Sequence, residues 1–172
     1  MQQLCLTGSE AGTIAGRLFN ALNVPPAGLR IAPFAVDGTT AGDAVYLFPP
    51  AIAPGACCVP CRIRLTQERT VIVPEVLQEV AVPALRAAMR VQSPILLQGL
   101  TADLLMCAPF AQAVCQCLQG DRPVVVTADD VAARMLQAAL PEAQLLCFAV
   151  PADADGQASL LEALIPEAAL RF

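Results

Sequence analysis

Apolar positions come in short runs whose spacing switches between strand-like and helix-like along the chain. Gln3-Leu4-Cys5-Leu6-Thr7 is a brief apolar run ending at Gly8, which predicts a buried strand. Ile14, Leu18, Ala21 and Leu22 follow at helical spacing and predict a helix over 11–22, stopped by Asn23 and the Pro25-Pro26 pair. Residues 29–36 predict a second strand, in which Pro33 argues for an edge position or a bulge. Asp37-Gly38 and Gly42-Asp43 bracket a turn, and residues 44–48 predict the returning strand of a β-hairpin. Residues 49–60 carry Pro49, Pro50, Pro54 and Pro60 and predict an exposed loop.

The second half repeats the alternation. Residues 62–65 alternate polar and apolar, as a short strand with one wet face does. Pro74 stands where a first helical residue belongs. Val76, Leu77, Val80, Leu85 and Met89 mark one side of a helix running to about Arg90, with Pro83 as a kink or division inside it. Strands are predicted at 94–98, 122–127 and 144–150. Helices are predicted at 107–119, from Asp129-Asp130 to about Leu140, and at 159–164. Continuous apolar strands between amphipathic helices predict an α/β fold in three layers, a mainly parallel sheet flanked by helices, with the β-hairpin as an insertion. No linker divides the 172 residues, so a single domain over 1–172 is expected.

Composition narrows the chemistry. Histidine is absent, which excludes histidine triads, histidine metal ligands and imidazole acid–base catalysis. All ten basic residues are arginines, so there is no lysine for a Schiff base or a phosphate loop. The net charge of −5, with no basic stripe, argues against a nucleic-acid partner. Hydrophobic residues make up 56% of the chain, yet every run is interrupted before the roughly 18 residues a membrane helix needs. The first residues lack the basic start and long apolar core of a signal peptide. A cytoplasmic protein without a membrane partner is the expectation.

Eight cysteines are the other departure from the ordinary. Cys5, Cys107, Cys115 and Cys147 lie in or beside apolar runs and read as small buried hydrophobes. Cys57-Cys58-Val59-Pro60-Cys61 is different. Cys58 and Cys61 have C-x-x-C spacing, which suits half of a metal site or a redox pair. Cys115 and Cys117 have C-x-C spacing on a predicted helix, about 200° apart around its axis, and cannot both chelate one ion there. A second pair to complete a zinc site is missing, so no metal is assigned and no cofactor is expected.

Leu6-Thr7-Gly8-Ser9-Glu10-Ala11-Gly12-Thr13-Ile14-Ala15-Gly16, the 28–50 segment, Arg62–Met89 with its Pro83–Met89 "PALRAAM", Ile95–Phe110 and Arg122–Asp129 occur in one order and spacing. In that order the chain resembles the P-loop nucleoside-triphosphatases first described from thermophiles, known in animals as cancer-related NTPases. The resemblance implies a P-loop NTPase-like fold, with the first segment at the Walker A loop and Ile95–Phe110 at the Walker B region. It also makes Gly8, Gly12 and Thr13 the remnant of the phosphate loop.

The diagnostic residues of that family are replaced. A working loop reads Gly-x-x-x-x-Gly-Lys-Ser/Thr, with backbone N–H groups around phosphate, lysine on the β- and γ-phosphates and the hydroxyl on Mg²⁺. Counted from Gly8, the last three positions hold Thr13, Ile14 and Ala15; shifted by one, they hold Gly12, Thr13 and Ile14. Where the family has Asp-Glu-Ile-Gly, this chain has Gln98-Gly99-Leu100-Thr101. No residue is assigned a catalytic role. Asp103 reads as a cap or surface charge, Asp129-Asp130 as a helix cap, Glu75 and Glu79 as surface, and Arg62 and Arg64 as a solvated strand face. Glu10 is a candidate cap for the first helix.

Three functions stay open on the residues: a degenerate P-loop protein without hydrolysis that acts through a protein partner or its own copies; weak nucleotide binding or residual nucleoside-triphosphate phosphatase activity; and a thiol or metal site at Cys57–Cys61.

Overall fold

The computed structural model describes residues 3–48, 59–66, 69–140 and 144–170. Chain order is β1 (Gln3–Thr7), α1 (Ala11–Leu22), β2 (Ala27–Val36), β3 (Thr39–Leu47), β4 (Val59–Arg64), β5 (Thr70–Ile72), α2 (Pro74–Val76), a π-helical turn (Leu77–Ala81) and α3 (Val82–Ala88). Then come β6 (Ile95–Leu100), α4 (Ala102–Leu105), α5 (Ala108–Gln119), β7 (Val124–Ala128), α6 (Asp130–Ala139), β8 (Leu145–Ala149) and α7 (Ala154–Ala169).

All eight strands join one sheet in the order β5-β4-β3-β2-β6-β7-β1-β8. The five strands from β2 to β8 run parallel, and β3, β4 and β5 extend the sheet as an antiparallel wing. The predicted three-layer α/β architecture is therefore present, and the predicted hairpin is the first part of the wing. Strand alternation divides the core in two. Cys5, Leu29, Leu97 and Val126 face α3, α5 and α6. Leu6, Leu96 and Val125 face α1 and α7. Gln3 is one of the buried polar residues, with Thr7 and Thr127, and is 1% exposed. Its amide nitrogen donates to Arg122 O at 3.1 Å and its oxygen accepts from Val124 N–H at 2.7 Å, which fixes the approach to β7.

Several expectations are corrected. Val59 and Pro60 already belong to β4, while 49–58 lie outside the described residues. The helix expected over 74–90 is α2, the π turn and α3 in succession. Pro83 has no N–H and its ring crowds the carbonyl four residues earlier; the wider turn before it, with Val82 N–H bonded to Leu77 O, makes the room. Pro33 does not lie on an edge strand, since β2 pairs on both sides. It lies beyond the residues of β2 that pair with β6, next to a register shift at Phe34/Ala35. The last helix spans Ala154–Ala169 rather than 159–164. β5 and α4 were not foreseen.

Candidate functional site

A cleft of about 440 Å³ opens at the carboxyl ends of β1, β6 and β7. Open parallel sheets place ligand sites at this edge. Gly8 and Gly12 line it, as do Gln98, Gly99, Leu100 and Thr101. Thr13 is exposed on α1 and is not part of the lining. The structure thus brings the two glycines and the 98–101 segment together, and leaves Thr13 outside.

The connection from β1 to α1 is short. Only Gly8, Ser9 and Glu10 separate the strand from the helix. Gly8 turns the chain at φ +104°, with its α-carbon face against Val150 O. Ala11 N–H already bonds to Gly8 O at 3.2 Å. A phosphate loop spaces its glycines five residues apart before its helix opens; Gly8 and Gly12 are four apart, and Ala11 is helical. Glu10 occupies the N-cap position of α1 but its side chain makes no capping hydrogen bond, contrary to expectation. Gly12 packs under Gln98: a β-carbon there would land on the Gln98 amide nitrogen.

The far wall is built by hydrogen bonds between β6, β7 and their following helices. Gly99, at φ +83°, donates its N–H to the buried Thr127 Oγ1 at 2.8 Å. Asp129 caps α6 as expected, accepting from Ala132 N–H at 2.6 Å. Its second oxygen accepts from Ala102 N–H at 3.2 Å and so holds α4. Asp129 and Asp130 are the only ionisable residues lining the cleft among the described residues.

Arg62 adjoins the cleft through Thr101, and its charge is paired with carboxylates. Arg62 donates to Asp43 Oδ2 at 2.7 Å and to Asp103 Oδ1 at 2.6 Å, and also to the Thr101 hydroxyl. Thr101 in turn donates to Asp103 Oδ1 at 2.5 Å. The Arg62 side chain is 15% exposed, so it is not the solvated residue expected; Arg64 is exposed. Asp103 is a partner of Arg62 rather than a surface charge without a role. This network was not visible in the sequence, because strand register brings in Asp43 and the unforeseen α4 brings in Asp103.

Of the cysteines in this motif only Cys61 lies among the described residues; Cys57 and Cys58 lie outside them. The Cys61 thiol is fully buried and donates to Asp43 O at 3.5 Å. Burial, reinforced by the Asp43 carboxylate, pushes it up to about 11. No group of three or more Cys, Asp or Glu among the described residues is arranged to hold a metal ion.

No family model matches the chain, and no curated protein sequence matches it. Among solved structures, THEP1 from the hyperthermophile Aquifex aeolicus superposes with a TM-score of 0.66 at 14% identity, over 97% of this chain and 98% of that one. This is a P-loop NTPase-like fold. Within that fold the turn after β1 and residues 98–101 line the same cleft. Among the described residues the lining has no cation, and its two carboxylates would each repel a phosphate by on the order of 1–4 kcal/mol at contact distance. No helix among the described residues is long and apolar enough to cross a membrane.

Proposed function

We propose that this protein keeps the P-loop NTPase-like fold without hydrolysing nucleotides, and that it works through protein contacts. One observation carries the reading: the β1–α1 turn is shorter than a phosphate loop, and it faces a cleft whose only charges among the described residues are acidic. Phosphoryl transfer depends on positioning and charge stabilisation. One preorganised donor is worth roughly 3 kcal/mol, or 10²–10³ in rate. Loss of the lysine, the Mg²⁺ hydroxyl and both acidic residues removes turnover.

The wing supports the second half of the reading. Phe34, Gly42, Ile63 and Val71 stand in register across β2, β3, β4 and β5 and share one face. Ile63 and Val71 are 39% and 40% exposed, and Leu65, beyond the end of β4, is 56% exposed. Apolar residues gathered this way mark association surfaces.

Phosphate release from MgATP and MgGTP is the direct test. Release at buffer level is expected. Release that scales with protein concentration and is lost in Gln98→Ala would refute the reading. Sedimentation of wild type and Val71→Asp tests the wing, with self-association lost in the variant.

A second reading, weak nucleotide binding, has one observation in its favour. α1 opens onto the cleft with no side chain capping its N-terminus, and such helix ends attract anions. Melting with and without millimolar MgATP separates the two. A ligand at 100 times its Kd stabilises by about 2.7 kcal/mol, so a shift of several degrees supports binding.

A further inference from the structure

Cys5 and Cys147 come from opposite ends of the sequence but pair directly in the sheet. Cys5 is the middle residue of β1, Cys147 the middle residue of β8, and the two are register partners. Their side chains leave the sheet on the same face, against the core beneath α6. Neighbouring strands lie about 4.8 Å apart, within the roughly 4.4–6.8 Å that separates the α-carbons of a disulfide. The two residues differ in access. Cys5 is fully buried, whereas Cys147 is half-buried on β8, the edge strand.

We infer that Cys5 and Cys147 are an oxidation site at which a hydroperoxide converts the two thiols into a disulfide, stapling edge strand β8 to β1. The Cys147 thiolate attacks the outer peroxide oxygen. The O–O bond breaks, the alcohol leaves with a proton, and Cys147 becomes a sulfenic acid. Cys5 sulfur then displaces the hydroxyl, which leaves as water with the Cys5 proton. Two thiols and one hydroperoxide give one disulfide, one alcohol and one water, with the two electrons passing from sulfur to the peroxide. The order follows from access, because only Cys147 meets solvent. Burial raises both thiols, and the adjacent Cys5 thiol partly offsets this at Cys147. The reaction is therefore slower than at an exposed thiol.

The staple would act on the cleft. Just beyond β8, Val150 N–H bonds to Thr7 O at 2.8 Å, and Val150 O packs on Gly8. Fixing β8 to β1 two residues before Thr7 stiffens the support of the short turn.

The test exposes reduced, full-length protein to cumene hydroperoxide, then denatures, alkylates and maps the peptides. The expected result is a cross-linked peptide joining Cys5 and Cys147, lost on reduction with dithiothreitol. Melting of the oxidised protein should rise by about 4–10 °C, and Cys147→Ala should abolish the rise. Cys5→Ala supplies a second readout, since Cys147 should then accumulate as a sulfenic acid trapped by dimedone. Full alkylation of both cysteines after peroxide treatment, or a Cys147 cross-link to another cysteine, would overturn the inference.

Discussion

Gly12 and Gly99 both line the cleft, and a methyl group added at each meets a different obstacle. At Gly12 it meets the end of the flexible Gln98 side chain, which can swing aside. Replacing a helical glycine by alanine gains roughly 0.5–1 kcal/mol. At Gly99 the methyl meets the Ile31 carbonyl, part of the sheet, and φ is +83°. Strain of that kind costs about 1–3 kcal/mol before the clash is counted. Urea denaturation should find Gly12→Ala as stable as wild type or slightly more so, and Gly99→Ala less stable by about 2 kcal/mol or more. Gly8 and Gly12 drew notice from their place in the turn after an apolar strand, and both line the cleft, although their spacing is one residue short of the motif's. Arg62 was not legible. Alternation on a four-residue strand assigns a face, but it says nothing of the two carboxylates that register and α4 bring to that face.

Helix starts test how local signals become element stability. Asp153 caps α7 through one bond, accepting from Gly156 N–H at 2.7 Å. Asp129 caps α6 and also holds the first residue of α4. A cap replaced by alanine costs about 0.5–2 kcal/mol. Asp153→Ala should fall near the middle of that range, and Asp129→Ala at or above its top, as read by denaturation midpoints. If both cost the same, the bond to Ala102 contributes nothing to stability. The same signals explain what the sequence revealed. Asp129 and Pro74 marked helix starts correctly. α7 extends beyond the predicted 159–164 in both directions, because the Asp153 cap and a buried Leu161–Leu164–Ala168 face carry the helix past Gly156 and Pro166. β5 and α4, at three and four residues, are too short to show a period.

The whole molecule should respond to alkali through its cysteines. Burial pushes Cys61 to about 11 and Cys117 to about 12, and raises Cys5 as well. In the unfolded chain these thiols ionise near 9, so above that pH the unfolded state releases protons that the folded state retains. Stability from the buried thiols is thus fully present below pH 9 and is lost as pH rises towards 11–12. The chain has no lysine and a single tyrosine, so its thiols dominate the titrations in this window. Urea midpoints should hold between pH 7 and 8.5 and fall steadily above 9. A flat profile to pH 10.5 would contradict the assignment. At this scale the parallel sheet was legible from apolar strands alternating with helices. The strand order was not, because which strands become neighbours is decided by packing on two faces and leaves no local trace. The short turn between β1 and α1 also limits redesign. Exchanging Thr13 for lysine and Gln98 for aspartate changes functional groups but not contour length. A cradle for three phosphates needs backbone inserted after Gly8 and the first turn of α1 unwound. On the function proposed above, building a phosphate cradle here is a problem of loop grafting, beyond the reach of any set of point substitutions.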